Sequence, residues 1–402
     1  MAKQSLFILG RQPILSCVEL ESLYKGFGKQ RVGDVGMLIN IDPEEVDFER
    51  LGGSVRLCEA LNIIDNKSWS EIEKYLIQNV EKYLGNMPES KLNIGVSAFE
   101  LSVDPKQIMS LELNIKRMAK QELGRSVRFI PNKDKALNSA QVIHNNLLDK
   151  NGLELIIVGE KTRAIVAKTI KIQNIADYSE RDYGRPKRDP RVGMLPPKLA
   201  QIMVNLTAGN DNEVDKDNPP MILDPFCGTG VVLQEALLMG YKAYGTDIDE
   251  RMVNYSRTNI NEWLSNRIRR PFSAPATIEI GDATIYKWHQ PFELVVSETY
   301  LGRALVSLPP EDKLIDIQRT CNTIIEKFLI NLSKQVPSGF LACLALPAWR
   351  KPNGSLLRLP LIDRINDLGY NSVSFEYANN APLIYSRETQ IVAREILLLK
   401  RK

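Results

Sequence analysis

Residues 221–253 read MILDPFCGTGVVLQEALLMGYKAYGTDIDERMV. An apolar strand ends at Asp224, and a tight loop, Phe226-Cys227-Gly228-Thr229-Gly230, leads into a helix. Gly228 and Gly230 let the backbone take φ > 0 and approach a ligand closely. The helix that follows points its free N–H groups at the same place. A second strand then ends in Gly245-Thr246-Asp247. An acid about twenty residues after a glycine loop is placed to grip ribose hydroxyls. Strand, acid, loop, helix, strand and acid in this order predict a site for a nucleoside-type cofactor.

The details of the loop choose among such cofactors. Leu233 stands where a nicotinamide-type G-x-G-x-x-G loop carries its third glycine. Asp224, just ahead of the loop, suits a cationic amine better than a pyrophosphate. S-adenosyl-L-methionine has such an amine and no phosphate, so it is the expected cofactor.

Working outward, the downstream chain alternates strand and helix. Strands are expected at Met221–Leu223, Lys242–Gly245, Ala276–Ile280, Phe292–Val296 and Gly339–Leu346, and helices at Gly230–Met239, Glu250–Trp263, Ile315–Leu332 and Leu356–Leu368. Ser372–Tyr377 and Gln390–Leu399 could pair as antiparallel strands at the end. This predicts an α/β, Rossmann-like domain over residues 221–402 with ligands at the strand C-termini. Residues 1–175 mix helices and strands without clean alternation, so an α+β region is expected there. It includes a hairpin, Leu153–Val158 with Thr162–Ile172, around Gly159. Between the two, residues 176–220 read as a linker, first basic (RDYGRPKRDPRVGM, Arg181–Met194), then polar and acidic (TAGNDNEVDKDNPP, Thr207–Pro220).

Asp-Pro-Phe-Cys-Gly-Thr-Gly resembles motif I of amino-group methyltransferases that act on nucleic acid. With Gly245–Asp249 and Arg251-Met252 it is similar to the THUMP-domain tRNA guanine-N2 methyltransferases. Arg188-Asp189-Pro190-Arg191 and Gly193–Ala200 resemble that family's segment ahead of the loop. Leu137–Gln141, Tyr385-Ser386-Arg387 and Gln390–Ile396 resemble further family segments. The resemblance implies a class I methyltransferase domain preceded by a THUMP-like RNA-binding module over residues 60–170. It implies that Asp224 and the Gly228–Gly230 loop hold the methionine moiety, that Asp247 takes the ribose hydroxyls and that Asp282 accepts from the adenine amine. Phe226, Thr229, Ile248 and Ala283 complete the expected cofactor-binding set.

The family's catalytic motif, Asp-Pro-Pro-Tyr after the fourth strand, is altered to Ser297-Glu298-Thr299-Tyr300. Tyr300 matches, Ser297 replaces the acid and both prolines are gone. Gly302 follows one residue later than in the family. In this chemistry an acceptor takes hydrogens from a poorly nucleophilic amine, and an aromatic ring stacks on the extruded base. Ser297, Glu298 and Tyr300 are therefore the catalytic candidates. Three readings are open: Glu298 supplies the acceptor from a shifted loop, Ser297 accepts one hydrogen bond in a slower enzyme, or methyl transfer is lost while binding persists.

Composition sets the frame. The chain has 402 residues, 44% hydrophobic and 25% charged, with a net charge of +3. At about 100–200 residues per domain, two or three domains are expected. No stretch reaches the roughly 18 apolar residues of a membrane span. Five cysteines without a C-x-x-C pair, and two histidines, His144 and His289, without ligand spacing, predict a reduced cytoplasmic protein without a metal site. The charge is uneven. Asn114–Lys135 holds seven basic and two acidic residues, and Arg181–Lys198 six and two. Such segments suit phosphates, and a solvated helix face with a basic linker suits them equally. The expected function is methyl transfer to an exocyclic guanine N2 amine, with tRNA as partner. The alternatives are a non-catalytic tRNA-binding protein retaining the fold, and an rRNA or DNA amino methyltransferase.

Overall fold

A computed structural model describes residues 3–85, 87, 91–189, 194–209, 218–264, 276–387 and 390–402. Pro190, Arg191 and Gly193 of the segment ahead of the loop, and residues 210–217 of the acidic stretch, lie outside the described residues. The chain divides into two compact units. The first holds residues 1–13, 26–49 and 54–173, and the second holds 14–25, 50–53 and 174–402. Helix α1 (Pro13–Leu23) therefore belongs, from Ile14 onward, to the second unit.

The first unit is built on an eight-stranded sheet. Its strands are β1 (Ser5–Leu9), β2 (Lys29–Val32), β3 (Gly36–Ile39), β4 (Ser54–Ile64), β5 (Leu92–Phe99), β6 (Val127–Phe129), β7 (Gly152–Glu160) and β8 (Arg163–Ile172). They lie in the order β2-β3-β1-β4-β8-β7-β5-β6, and only the two pairings of β5 are parallel. Helices α2 (Trp69–Gln78), α3 (Val80–Leu84) and α4 (Pro105–Leu123) cover it, with Ile72, Leu76, Leu111 and Ile115 packed on Val96 and Leu155. α4 is well delimited. Asp104 and Gln107 form a reciprocal capping box, and Gly124 closes the helix at φ +64°. A short α5 (Ser139–His144) follows.

Strands β2 and β4 leave little mark in the sequence. The alternation of β4 is broken by register shifts at Leu57/Cys58 and Ala60/Asn62, which hide a period of two. The β7–β8 turn falls at Lys161-Thr162, not at Gly159. Gly159 is instead a close-approach site, where an added methyl would lie 2.4 Å from the Glu100 carbonyl.

The second unit has the alternation expected of it. Its strands are β9 (Met221–Asp224), β10 (Lys242–Asp247), β11 (Thr277–Ile280), β12 (Leu294–Glu298), β13 (Leu341–Arg350), β14 (Leu356–Leu357), β15 (Tyr370–Ser372), β16 (Leu383–Tyr385) and β17 (Val392–Arg401). The main path runs β11-β10-β9-β12-β13-β17-β15, with β14 beside β13 and β16 beside β17. β9 to β13 are mutually parallel where they pair, and β17 is antiparallel to β13. Strand order reverses direction between β9 and β12. A doubly wound sheet opens its ligand crevice at such a switch point.

Helices α6 (Ile175–Tyr183) and α7 (Pro197–Ala208) occupy much of the stretch read as a linker. α7 packs Leu199, Met203 and Leu206 with Leu15 and Val18 of α1 in one apolar cluster. Buried Glu19 of α1 accepts from the Gly52 and Gly53 amides at 2.9 and 2.8 Å and from Asn205 Nδ2 at 2.7 Å. These tertiary contacts are what a composition reading cannot see. α8 (Val231–Leu238), α9 (Glu250–Arg257) and α10 (Glu311–Ser333) complete the unit. After α9 the chain continues as a π-helical turn, Thr258–Leu264. The helix expected at 356–368 is replaced by β14 and a 3-10 turn, Pro360–Arg364, because Pro360 cannot donate within a helix.

Candidate active site

The site is built at the C-terminal ends of β9, β10 and β12. β9 delivers Asp224, 2% exposed. Its Oδ1 accepts from Ser297 Oγ at 2.6 Å and from the Phe226 amide at 3.2 Å. Burial pushes this carboxyl up to about 8; the two hydrogen bonds oppose that, while nearby Asp247 and Glu298 add to it. Ser297, wholly buried, thus touches the acid that precedes the glycine loop. From the sequence these two residues belong to different halves of the site, Asp224 to the cofactor and Ser297 to the target base.

Two glycines of the loop do different work. Gly228 sits at φ +49°, and a methyl there would meet nothing within 4 Å. It faces open space. Gly230 sits at φ +87°, and a methyl would lie 2.4 Å from Ser256 Oγ on α9. Gly230 is required by internal packing. Gly245 is a third case, since its methyl would lie 2.6 Å from Leu233 Cδ1. Leu233, the residue that departs from the nicotinamide pattern, fills the gap left by Gly245.

Asp247 closes the loop from β10. Its Oδ2 accepts from the Gly228 amide at 2.9 Å and its Oδ1 from the Asp249 amide at 2.9 Å. Burial raises its pKa, and these backbone hydrogen bonds oppose the rise. Next to it Ile248 is 69% exposed, bare apolar surface beside a carboxylate. Asp282 accepts from the Thr284 amide at 2.9 Å and its hydroxyl at 2.7 Å, an Asx turn. Ala283 is 3% exposed and belongs to the core, with its carbonyl taking a bond from Asn331. Phe226 packs edge-on against Phe328, ring centroids 5.2 Å apart.

Thr229 is 8% exposed and meets a residue not singled out from sequence. Arg185, 3% exposed, donates to Thr229 Oγ1 at 3.2 Å. Asn259, in the π-helical turn, donates to the Thr229 carbonyl at 2.9 Å and also holds the backbone of Lys187. The basic segment ahead of the loop is thereby fastened to it. A Pro- and Arg-rich stretch gave no local signal for an arginine that turns inward.

β12 runs through Glu298, two residues beyond the expected end, so the strand displaces the shifted loop. Val295 and Val296 join different core clusters, and the same alternation sends Ser297 and Glu298 to opposite faces. Glu298 Oε1 accepts from Arg394 Nε at 2.7 Å. Arg394 lies on β17, two strands away, and Ala345 of β13 pairs with Glu298 between them, leaving room for the guanidinium to cross. Burial raises the pKa of Glu298, and Arg394 pulls against it. Tyr300, past the strand end, is 40% exposed. Gly302 takes φ +88°.

Comparison with known proteins places the likeness in and around the glycine-loop segment. Residues 185–269 match the family described as RMKL-like, methyltransferase domain. The chain is 45% identical over 102 residues to a tRNA (guanine(10)-N2)-dimethyltransferase of Methanothermobacter thermautotrophicus, covering 25% of this chain and 28% of that one. It is 37% identical over 105 residues to the protein of the same name from Methanocaldococcus jannaschii, with the same two shares. The chain thus spans well under half the length of these relatives. Among solved structures, TrmN from Thermus thermophilus aligns over 100% of both chains at TM-score 0.54 and 15% identity. SMU.472, solved complexed with SAH, aligns over 99% of this chain and 98% of that one at 0.51 and 12%. The fold is that of a class I methyltransferase preceded by an α+β region. The likeness of the glycine-loop segment to tRNA guanine-N2 methyltransferases, expected from its motif, is borne out.

Proposed function

We propose that this chain transfers a methyl group from S-adenosyl-L-methionine to the exocyclic N2 amine of a guanine in tRNA, with guanine 10 the position carried in the names of its relatives. The observation that carries the reading is the open space at Gly228, bounded by Asp247 and lying at the sheet's switch point beside Asp224. The residues present fit the cofactor. Asp224 is a buried carboxyl that a cationic amine would hold ionised, Asp247 is a half-buried acid for ribose hydroxyls, and Ile248 is bare apolar surface for the adenine. Asp282, Phe226, Thr229, Gly230 and Ala283 frame these groups. Arg185 positions the loop through Thr229. When bound, adenosylmethionine supplies an electrophilic methyl on a sulfonium.

Glu298 is the proposed acceptor. Counted back from Gly302, Glu298 takes the place of the acid in the family's Asp-Pro-Pro-Tyr, a count that puts Leu301 in the tyrosine's place and Tyr300 one residue before it. Arg394 fixes its Oε1, and burial makes the carboxylate a better base than one in water. It accepts a hydrogen bond from the guanine amine, helps localise the lone pair, and receives the proton that leaves nitrogen after transfer. Ser297 acts one step back, holding Asp224 in place. Tyr300 offers a ring face on which an extruded base stacks. The first unit, read as THUMP-like, binds the body of the tRNA, and the protein works in the cytoplasm, where its five buried cysteines stay reduced.

The test is nucleoside mass spectrometry of tRNA incubated with the full chain and isotope-labelled methyl donor. Labelled N2-methylguanosine is the expected product. Donor and tRNA binding with no labelled nucleoside selects the non-catalytic reading. Label appearing in rRNA or DNA in preference to tRNA selects the other amino methyltransferases.

A further inference from the structure

The residues beside Glu298 continue outward into a surface that the reaction itself does not use. β16 pairs antiparallel with β17 so that Tyr385 lies directly opposite Arg394. Arg350, the last residue of β13, donates through Nη2 to Ser386 Oγ at 2.9 Å. Its Nε is buried and has no hydrogen-bond partner among the described residues. Arg387 is exposed and donates to the Tyr385 hydroxyl at 3.3 Å. Asp182 and Tyr183, at the end of α6, lie within electrostatic reach of Arg387. Tyr183 is 61% exposed, and the exposed Arg188 stacks its guanidinium 4.8 Å from the Tyr183 ring centroid.

We infer that Arg350, Tyr385, Arg387, Tyr183 and Arg188 form a track, within the second unit, for an unstacked RNA strand on its way to the target-base site. The inference deepens the proposed function and rests on it for the identity of the strand. Planar cations beside two rings, Tyr183 exposed and Tyr385 partly buried, have the two groups that single-stranded nucleic acid needs. The arginines take phosphate oxygens in forked geometry. The rings, and the guanidinium held over one of them, take base faces. An acidic peptide would use the charges and leave the large exposed ring without a role. The track also explains the divided fate of the basic stretch Arg181–Lys198. Arg181 and Arg185 turn inward, to Glu235 and to the cofactor loop, and leave Lys187 and Arg188 facing out.

The experiment uses the full chain, with methyl-transfer kinetics on tRNA and fluorescence anisotropy on a short single-stranded RNA. The double variant Arg188→Glu/Arg387→Glu should raise KM for tRNA at least ~10-fold while kcat stays within about threefold. It should flatten the log–log salt dependence of single-strand binding by roughly 1.4, at about 0.7 per lost phosphate contact. Tyr183→Ala should weaken binding by about 5- to 150-fold, the range for one stacked base, and Tyr183→Phe should restore it. Donor binding by calorimetry should be unchanged in all of them, which also reports that they are folded. Wild-type KM and anisotropy in folded variants overturn the track and leave the activity standing. A wild-type chain that transfers no methyl, yet loses RNA binding in these variants, overturns the proposed function and leaves the track. Competition by poly-glutamate as effective as that by RNA also overturns it.

Discussion

The two halves of the candidate site are built in contrasting ways. The cofactor half is local: Asp224, the glycine loop and Asp247 lie within 24 consecutive positions, and backbone hydrogen bonds such as Gly228 N to Asp247 Oδ2 tie them together. The target half is assembled from distant pieces: Glu298 on β12 meets Arg394 on β17, 96 residues later. Local construction leaves a motif that can be read. Assembly across a sheet leaves single residues whose meaning depends on register. The two halves meet at one hydrogen bond, Ser297 to Asp224.

The largest expected effect lies in the target half. Glu298→Gln keeps the shape and removes the base, so labelled-methyl transfer should fall by about 10²–10³-fold, the scale for losing one preorganised polar group. Donor affinity should stay at the wild-type value. Transfer at the wild-type rate in Glu298→Gln would remove that residue from the chemistry and return the role to Ser297.

In the cofactor half, Asp247→Ala removes a carboxylate that accepts two backbone N–H bonds. Hydrogen bonds to a charged group contribute about 1.5–3 kcal/mol each. Donor affinity by calorimetry should fall at least ~10-fold. A single-turnover chase started from saturated donor should then proceed near the normal rate. A collapse of that rate as well would mean that the halves are not separable.

The glycines sharpen the same contrast at smaller scale. Gly230→Ala drives a methyl against Ser256 and should lower stability by about 2–4 kcal/mol, combining overpacking with a strained φ. Gly228→Ala carries only the backbone cost of about 1 kcal/mol. Its methyl points into open space, so donor binding should suffer more than stability does. Denaturant melts and calorimetry on the two variants give the ordering, and equal stability losses would contradict the assignment of Gly228 to the ligand.

The last expected effect is a pH dependence. Asp224 has its folded pKa raised to about 8 from an ordinary 3.8, chiefly by burial. An acid raised on folding contributes stability that is full below its ordinary pKa and is lost as pH rises through the folded value. Stability without donor should therefore decline between about pH 4 and pH 8, with buried Glu19 and Glu235, both raised to about 7, declining in step. A cationic donor favours ionised Asp224, so its affinity should climb as pH rises towards 8, by at most ~10-fold per unit. Ser297→Ala removes a hydrogen bond that lowers this pKa, and the climb should shift to higher pH. A flat profile from pH 6 to 9 would show that Asp224 does not titrate against the ligand.

How much of this was legible follows from the same contrast. The strands and helices around the glycine loop were readable because each apolar run is short, bounded by glycine or an acid, and packed on its sequence neighbours. β4 was hidden because its bulges break the alternation that marks a strand. Helix α6 was hidden because an arginine-rich stretch reads as solvated until Glu235 and the cofactor loop are seen to receive Arg181 and Arg185, and α7, which is apolar, was passed over between the basic and the acidic stretch. Asp224, Gly228 and Asp247, read together from the sequence, lie beside one another in the fold. Ala283 was named with the cofactor set and lies in the core, and Arg185 and Arg394 were not named.

The sequence by itself determined the nucleotide-type loop, its acids and the class of fold, because those rest on spacing along one strand–helix–strand unit. Only the tertiary structure decided that Ser297 serves Asp224 and that Glu298 answers to Arg394. A side chain's face is set by strand register, and its partner by the order of strands in the sheet. Neither is written in the four residues that replace the family's motif.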